Sequence, residues 1–473
     1  MRMQHDQQLA ALRDELESTK NKLAATQWEL AKTRDELSFV YASRSWRITE
    51  PLRRTSGKLR VAMHAARSWP AAKHLRRAIN KLEEYGVANV IKKYLKPEAS
   101  RKSIPLLTVP FIPYEEERDF APEAPDVRLI AYYLPQFHAF PENDAWWGKG
   151  FTEWTNVRRA LPFFPGHVQP PVPHASLGYY DLGEGSGPDI LRKQAAMAQK
   201  HGIYGFCFHH YWFSGKRLME KPVDSLLENT DIDLPFCLNW ANENWTRRWD
   251  GLEQNILIAQ DHTPDDDSAF MRDVLRYFRD PRYIRINGRP VFLVYHADLL
   301  PDAKQTLERW RVVCAENNES EPFFVMVQSF TNVDPRVRGF DAVAQFPPHA
   351  AQRPVRLESV AENFQGRLLN YMQVVDSIMG RWTREYTLFP GVMPGWDNTP
   401  RRMEHSSIYI GATPQLYEEW LRHARAFARD SLPPESRFVF INSWNEWAEG
   451  AQLEPSQAHG FAYLNATSRA LKS

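Results

Sequence analysis

Cysteine is scarce in this sequence: Cys207, Cys237 and Cys314 are the three among 473 residues, and none stands in a CxxC or Cys/His zinc spacing. That excludes a disulfide-stapled scaffold and a zinc ribbon, and leaves buried thiols in a reducing compartment as the expectation. No apolar run approaches the ~18 residues of a membrane span. The opening MRMQHDQQLAALRDELEST lacks the apolar core of a secretion signal, so a cytoplasmic address is expected. A GxSxG elbow, a Walker loop, HExxH and a Gly-rich strand-to-helix turn for a nucleotide are missing too. The histidines are dispersed, and neither metal nor cofactor is expected.

Net charge is nearly absent, +1 overall, but it is unevenly spread. Residues 51–102 hold fourteen Lys/Arg against three Asp/Glu. Apolar residues interleave with the bases, which suits an anionic inner-membrane surface or a lipid-linked intermediate; a solvated helical linker is the alternative. Nucleic acid is not an expected partner, because no recognised binding module accompanies the charge. Ahead of this segment Leu9, Leu16, Leu23, Leu30 and Leu37 recur every seven residues, with Leu12, Thr19, Thr26, Thr33 and Val40 three places on. The spacing predicts a coiled coil over 1–42, self-associating or pairing with a partner helix; a solitary solvated helix is the alternative, since threonine makes a weak seam. Residues 43–124, starting at SRSWRITEPLR, read as a basic helical linker that a Pro-rich stretch closes near residue 125.

From 125 to 473 short apolar runs alternate with helical ones. Strands are expected at 127–134, 204–213, 235–242, 290–297, 322–329, 341–348, 389–397 and 437–444. Eight near-continuous apolar strands alternating with helices predict an α/β fold, a closed parallel (β/α)₈ TIM barrel preceded by the N-terminal α-helical coiled coil. The Pro-rich text around strands six and seven leaves their boundaries soft.

In such a barrel the chemistry gathers where the strands end. Those ends carry Tyr133 and His138; His209, His210 and Trp212; Asn239, Trp240, Asn242, Glu243 and Trp245; Tyr295; Gln328; and Trp396 and Asp397. The eighth runs into SWNEWAEGAQLEP, with Glu446 between Trp444 and Trp447, and Glu449 three residues after Glu446. Sixteen tryptophans in the chain exceed what a core needs. Rings interspersed with amides, imidazoles and carboxylates suit a sugar, whose C–H face stacks while its hydroxyls take directional partners. Each residue singly also reads as packing; the set carries the inference. Glu446 and Glu449 share one pocket only if the strand stops near Trp444 and the backbone turns, and Gly450 allows that. Paired carboxylates supply the acid and the base that glycosyl transfer needs, although either one also reads as a loop anchor. Asp265, Asp266 and Asp267 are similar to a DxD metal motif but follow HTP, and helix capping is the better reading.

AYYLPQFH, WWGKGFTEWTNV with Trp154, FCFHHYWF, LNWANENWTRRWDG, GWDNTPR and SWNEWAEGAQLEP together resemble the WbsX-type proteins of bacterial O-antigen and surface-polysaccharide clusters. That group is similar to glycoside hydrolase family 99, the endo-α-mannosidase family. The resemblance implies a metal-independent, retaining enzyme acting on a glycan or lipid-linked oligosaccharide. It implies that Glu446 deprotonates the sugar's own 2-hydroxyl to form a 1,2-anhydro sugar, and that Glu449 serves as general acid and then general base. Ala448 stands where the hydrolases carry His. A transferase of surface-polysaccharide assembly is the expectation, with an endo-acting hydrolase or a non-catalytic glycan-binding protein as alternatives.

Overall fold

A computed structural model describes residues 104–119, 125–183, 185–247, 252–329, 332–349 and 352–472. The heptads of 1–42 and the basic segment 51–102 lie outside the described residues.

Eight parallel strands form the centre. They are β1 (Arg128–Tyr133), β2 (Ile203–Phe213), β3 (Phe236–Trp240), β4 (Arg289–Val294), β5 (Phe323–Gln328), β6 (Ala342–Gln345), β7 in two pieces (Thr387–Phe389 and Gly391–Val392) and β8 (Phe438–Ile441). Neighbours in sequence pair through β6, and the ring returns on itself where Arg128–Ala131 of β1 lie in register with Phe438–Ile441 of β8. This is the TIM-barrel arrangement. Helices outside and side chains inside bury both faces of the strands, which is why FCLNW and FVFI are buried at every position.

Strand seven departs from expectation. It starts at Thr387 and ends at Val392, so the predicted strand 389–397 was placed too late. Pro390 has no N–H for a ladder and divides it: Thr387–Phe389 pair with Ala342–Ala344 of β6, and Gly391–Val392 pair with Phe440–Ile441 of β8. The Pro390 carbonyl still accepts from Phe440 N at 2.9 Å, so the seam stays bonded. In consequence Trp396 and Asp397 stand on the loop after β7, not on its end.

Helices α1 (Pro141–Trp147), α2 (Glu153–Arg159) and α3 (Gly187–Lys200) follow β1; α4 (Lys221–Glu228), α5 (Pro264–Phe278) and α6 (Ala303–Glu316) follow β2, β3 and β4. Between β5 and β6 the described residues hold one 3₁₀ turn, Pro335–Arg338. After β6 comes α7 (Tyr371–Met379), after β7 the one-turn α8 (Thr399–Arg402) and α9 (Pro414–Ser431), and after β8 comes α10 (Ala462–Leu471). The aspartate triplet opens α5: Thr263 Oγ1 accepts from Asp266 N at 3.1 Å, and Asp267 turns inward to Thr306 and Arg309. Acid at the positive end of the helix dipole accounts for it. Among the described residues no cluster of three or more His, Cys, Asp or Glu is arranged to hold a metal ion.

Trp310 on α6 packs within 6 Å of Trp240, Phe270, Phe292 and Phe324, wedging helices against strands. Truncating such a ring to alanine costs roughly 3–5 kcal/mol. One compact unit begins at Leu106. Leu107 N donates to Arg356 O, Phe461 N to Glu115 O and Arg118 N to Asn465 Oδ1, so part of the expected linker is fastened to the barrel.

Candidate active site

The loop after β8 turns at once. Its strand ends at Ile441, three residues earlier than the sequence reading placed it. Trp444 N donates to Tyr132 O at 2.8 Å, and Asn445 exchanges two hydrogen bonds with the backbone of Leu134, stitching the loop to the one after β1. Ser443 Oγ accepts from Glu446 N at 2.8 Å. A 3₁₀ turn, Trp447–Glu449, then ends on Gly450 at φ 61°. Glycine is needed there twice over: the conformation is left-handed, and a Cβ would lie 2.8 Å from Asp397 N. This turn brings the two glutamates to one side.

What joins them is Arg401, on α8. Its Nη2 donates to Glu446 Oε2 at 2.9 Å, its Nη1 to Glu449 Oε1 at 2.5 Å, and its Nε to Glu153 Oε1 at 2.8 Å. Glu153, the first residue of α2, is wholly buried; Glu446 is nearly so, and Glu449 is 18% exposed. Three carboxylates therefore share one guanidinium. Burial pushes the Glu446 carboxyl up to about 8; Arg401 opposes this, while Glu449 and Glu153 add to it. Burial, with Arg401 beside it, brings His209 down to about 4, so its imidazole is neutral. Tyr211 is raised by burial and next by the charge of Glu446, which places its phenol at the same site.

The support behind Arg401 is Asp397. Its Oδ2 lies 2.7 Å from His167 Nε2 and accepts from Gln169 Nε2 at 2.6 Å; its Oδ1 accepts from Thr399 Oγ1 and N. Burial opposes its charge, but the bonds from His167, Thr399 and Gln169 hold it below the usual carboxylate range. Asp397 N also donates to Glu449 O at 2.6 Å, locking the loop after β7 to the loop after β8.

Of the residues singled out in the sequence, Glu446, Glu449, His209, Glu243, Trp245 and Tyr295 reach the mouth. Trp245 sits edge-on to Trp146 at 5.6 Å and Tyr211 at 5.4 Å, and Tyr295 packs against His209 and Phe346. Glu243 Oε1 stands 3.5 Å from His296 Nδ1. The others are built into the walls. Tyr133 donates to Gln194, Trp154 Nε1 to Tyr180 O, Trp212 Nε1 to Asp266, and Gln328 Nε2 to Asn332. Asn242 closes a pair of bonds with the His296 backbone, and Asn239 lies under His209, its Nδ2 3.2 Å from His209 Nδ1. His138 and His210 are buried and thereby held near 4 and 3. Trp240, Trp396, Trp444 and Trp447 are buried as well, so the indoles flanking the glutamates do not offer a stacking face. Ala448 is fully buried too and faces core rather than cleft.

Sequence reasoning missed Arg401 and Glu153, although both stand in the segments GWDNTPR and GFTEWTN. Glu153 is the lone charge of GFTEWTN, a usable signal, whereas Arg401 follows Asp397 and precedes Arg402 and has none of its own. It also missed Glu454, which accepts from Trp447 Nε1 at 2.6 Å, Gln194 Nε2 at 2.6 Å and Tyr180 OH at 2.9 Å.

Comparison with known proteins adds three findings. The family described as glycosyltransferase WbsX matches residues 129–467. Two curated proteins of Xanthomonas campestris pv. campestris, each described as uncharacterized protein WxcX, are 50% and 49% identical over 353 residues, 74% of this chain. The match is 50% of each of them, so the chain spans about half the length of these relatives. Among solved structures, a glycoside hydrolase-like protein is 17% identical over 78% of this chain and 98% of its own, with a TM-score of 0.48. The GH99 endo-α-mannosidase from Bacteroides thetaiotaomicron is 15% identical over 72% of this chain and 96% of its own, with a TM-score of 0.45.

Proposed function

Because this chain belongs to the WbsX glycosyltransferase family, a carbohydrate-active family, we propose that it transfers a glycosyl unit to a glycan or lipid-linked acceptor in surface-polysaccharide assembly. The observation that carries the reading is the Glu446–Arg401–Glu449 arrangement at the C-terminal mouth of the barrel. In the proposed reaction Glu446 removes the proton of the donor sugar's 2-hydroxyl, and that oxygen attacks the anomeric carbon. The leaving oxygen departs with a proton from Glu449, giving a 1,2-anhydro sugar. Glu449, now a carboxylate, deprotonates the acceptor hydroxyl, which opens the ring with net retention, and Glu446 returns its proton to the 2-oxygen. A carboxyl raised to about 8 is a stronger base than an ordinary carboxylate, which suits a weakly acidic hydroxyl. Trp245, Tyr211 and Tyr295 supply faces for the sugar rings.

Endo-hydrolysis is the second reading, because a carboxylate pair serves water as well as a sugar hydroxyl. Offering an α-mannoside-type oligosaccharide or the host's lipid-linked oligosaccharides together with an acceptor glycan separates the two by mass spectrometry. A lengthened acceptor is expected. Free reducing sugar alone identifies a hydrolase, and sugar binding without turnover identifies a binding protein. The proposed setting is the cytoplasmic face of the inner membrane, with residues 51–102 as the surface contact and 1–42 as the self-associating part. Among the described residues no helix is long and apolar enough to cross a membrane.

A further inference from the structure

We propose that Arg401, backed by the buried Glu153, is a positioning residue that keeps Glu446 and Glu449 on one guanidinium edge and keeps their charges unequal. The proposal rests on the reading of those two glutamates as the reacting pair and goes beyond it by assigning the group that sets them apart.

A guanidinium presents its N–H groups in a fixed plane, and this one uses three of its corners on three carboxylates. Two of those contacts hold the reacting pair in a shared plane. The third ends on Glu153, wholly buried, whose second oxygen Oε2 has no hydrogen-bond partner. An Arg facing two carboxylates alone would stabilise both as anions and leave no proton to transfer. Glu153 takes up part of that positive charge from behind, so three negative groups compete for one cation and a proton is retained in the cluster. Unequal burial keeps the two glutamates different: Glu446 is the more enclosed, and Glu449 borders the cleft. Among the described residues the Tyr211 phenol from β2 faces Glu446, with Glu243 beyond it, and the neutral His209 imidazole faces Arg401. None of these replaces the missing positive charge.

The position of Arg401 is also fixed by contacts other than its bonds to the carboxylates. The one-turn α8 packs against α2 and against the 447–449 turn. Thr399 bonds Asp397 and Ser406 through its hydroxyl, and Arg159 Nε reaches Pro400 O at 3.5 Å. Arg401 thus arrives at the carboxylates already oriented.

Opposite substitutions test this. Glu153→Gln frees the full charge of Arg401 for the pair, and the Glu446 titration is expected to fall by about one pH unit. Arg401→Gln removes that charge, and the same titration is expected to rise by a similar amount. Arg401→Lys keeps the charge without the fork and is expected to titrate within a few tenths of wild type while turnover falls at least ~10-fold. The titration is read on the ligand-free full chain by carboxyl-carbon NMR of ¹³C-glutamate-labelled protein, with Glu446→Gln assigning the resonance. Should Arg401→Gln fail to fold, the nearly isosteric Glu153→Gln alone decides. A Glu446 titration unmoved by Glu153→Gln, or moved upward, overturns the proposal. Because no turnover is needed, an unmoved titration in an active enzyme refutes this inference, whereas a moved titration in a protein that processes no glycan refutes the proposed reaction and leaves the inference standing.

Discussion

Glu446 and Glu454 stand on one loop, both buried, and in both burial pushes the carboxyl up, to about 8 and about 7. Their partners differ. Glu454 is ringed by the neutral donors of Trp447, Gln194 and Tyr180 and is 3% exposed. Glu446 meets a cation that it shares with two other carboxylates, one of them facing the cleft. Burial sets how costly a charge is; the partners decide what the carboxyl is for. Neutral donors fix Glu454 in place as a keystone, whereas a shared cation with like charges beside it leaves a proton that can move.

The comparison breaks most directly by exchange. Glu446→Gln is expected to lower kcat about 10³-fold with sugar affinity changed less than about threefold, whereas Glu454→Gln in the same assay leaves kcat within about threefold of wild type. Comparable losses in both would erase the distinction. Stability inverts the ranking. Glu454→Ala leaves the Trp447, Gln194 and Tyr180 donors unmet and is expected to cost about 3 kcal/mol in urea or thermal unfolding, more than Glu446→Gln.

pH sharpens the contrast further. With Glu446 as the base, kcat/KM rises with pH through about 8, since the active form is the carboxylate; a falling limb there would make Glu446 the acid instead. For Glu454 the folded value, about 7, lies above the ordinary carboxyl value of 4.5. Its protonated form is favoured by the fold, so its contribution to stability is fully present below about 4.5 and lost as pH rises through about 7. Glu454→Gln is expected to flatten that part of the stability curve. The smallest effect is reserved for the sugar face: Trp245→Ala should raise KM about fivefold at unchanged kcat, the worth of one stacking ring.

Much of this was legible in the sequence, for identifiable reasons. Strands buried on both faces write themselves as unbroken apolar runs, so PVFLVYHA and RFVFINSW located β4 and β8. Pro390 hid β7, because proline-rich text reads as loop even where the carbonyl still bonds its neighbour. The glutamate pair was legible because both partners fall within four residues of text. Trp444 and Trp447 misled, since an indole after a strand reads alike whether it turns to core or to cleft. Arg401 was beyond local reading: it meets Glu153 across 248 residues and Glu446 across 45, and no spacing rule connects them.

The closing ladder between β1 and β8 joins distant parts of the chain. Glu446 and Glu449 follow the last strand, Glu153 the first and Arg401 the seventh. A chain in which β8 has not yet docked on β1 holds these four groups apart in water, each with its ordinary affinity for protons. The closed ring brings them together, and burial there raises the Glu446 carboxyl. Refolding of this barrel should therefore take up protons near neutral pH as Glu446 becomes buried, so that proton uptake reports the assembly of the site.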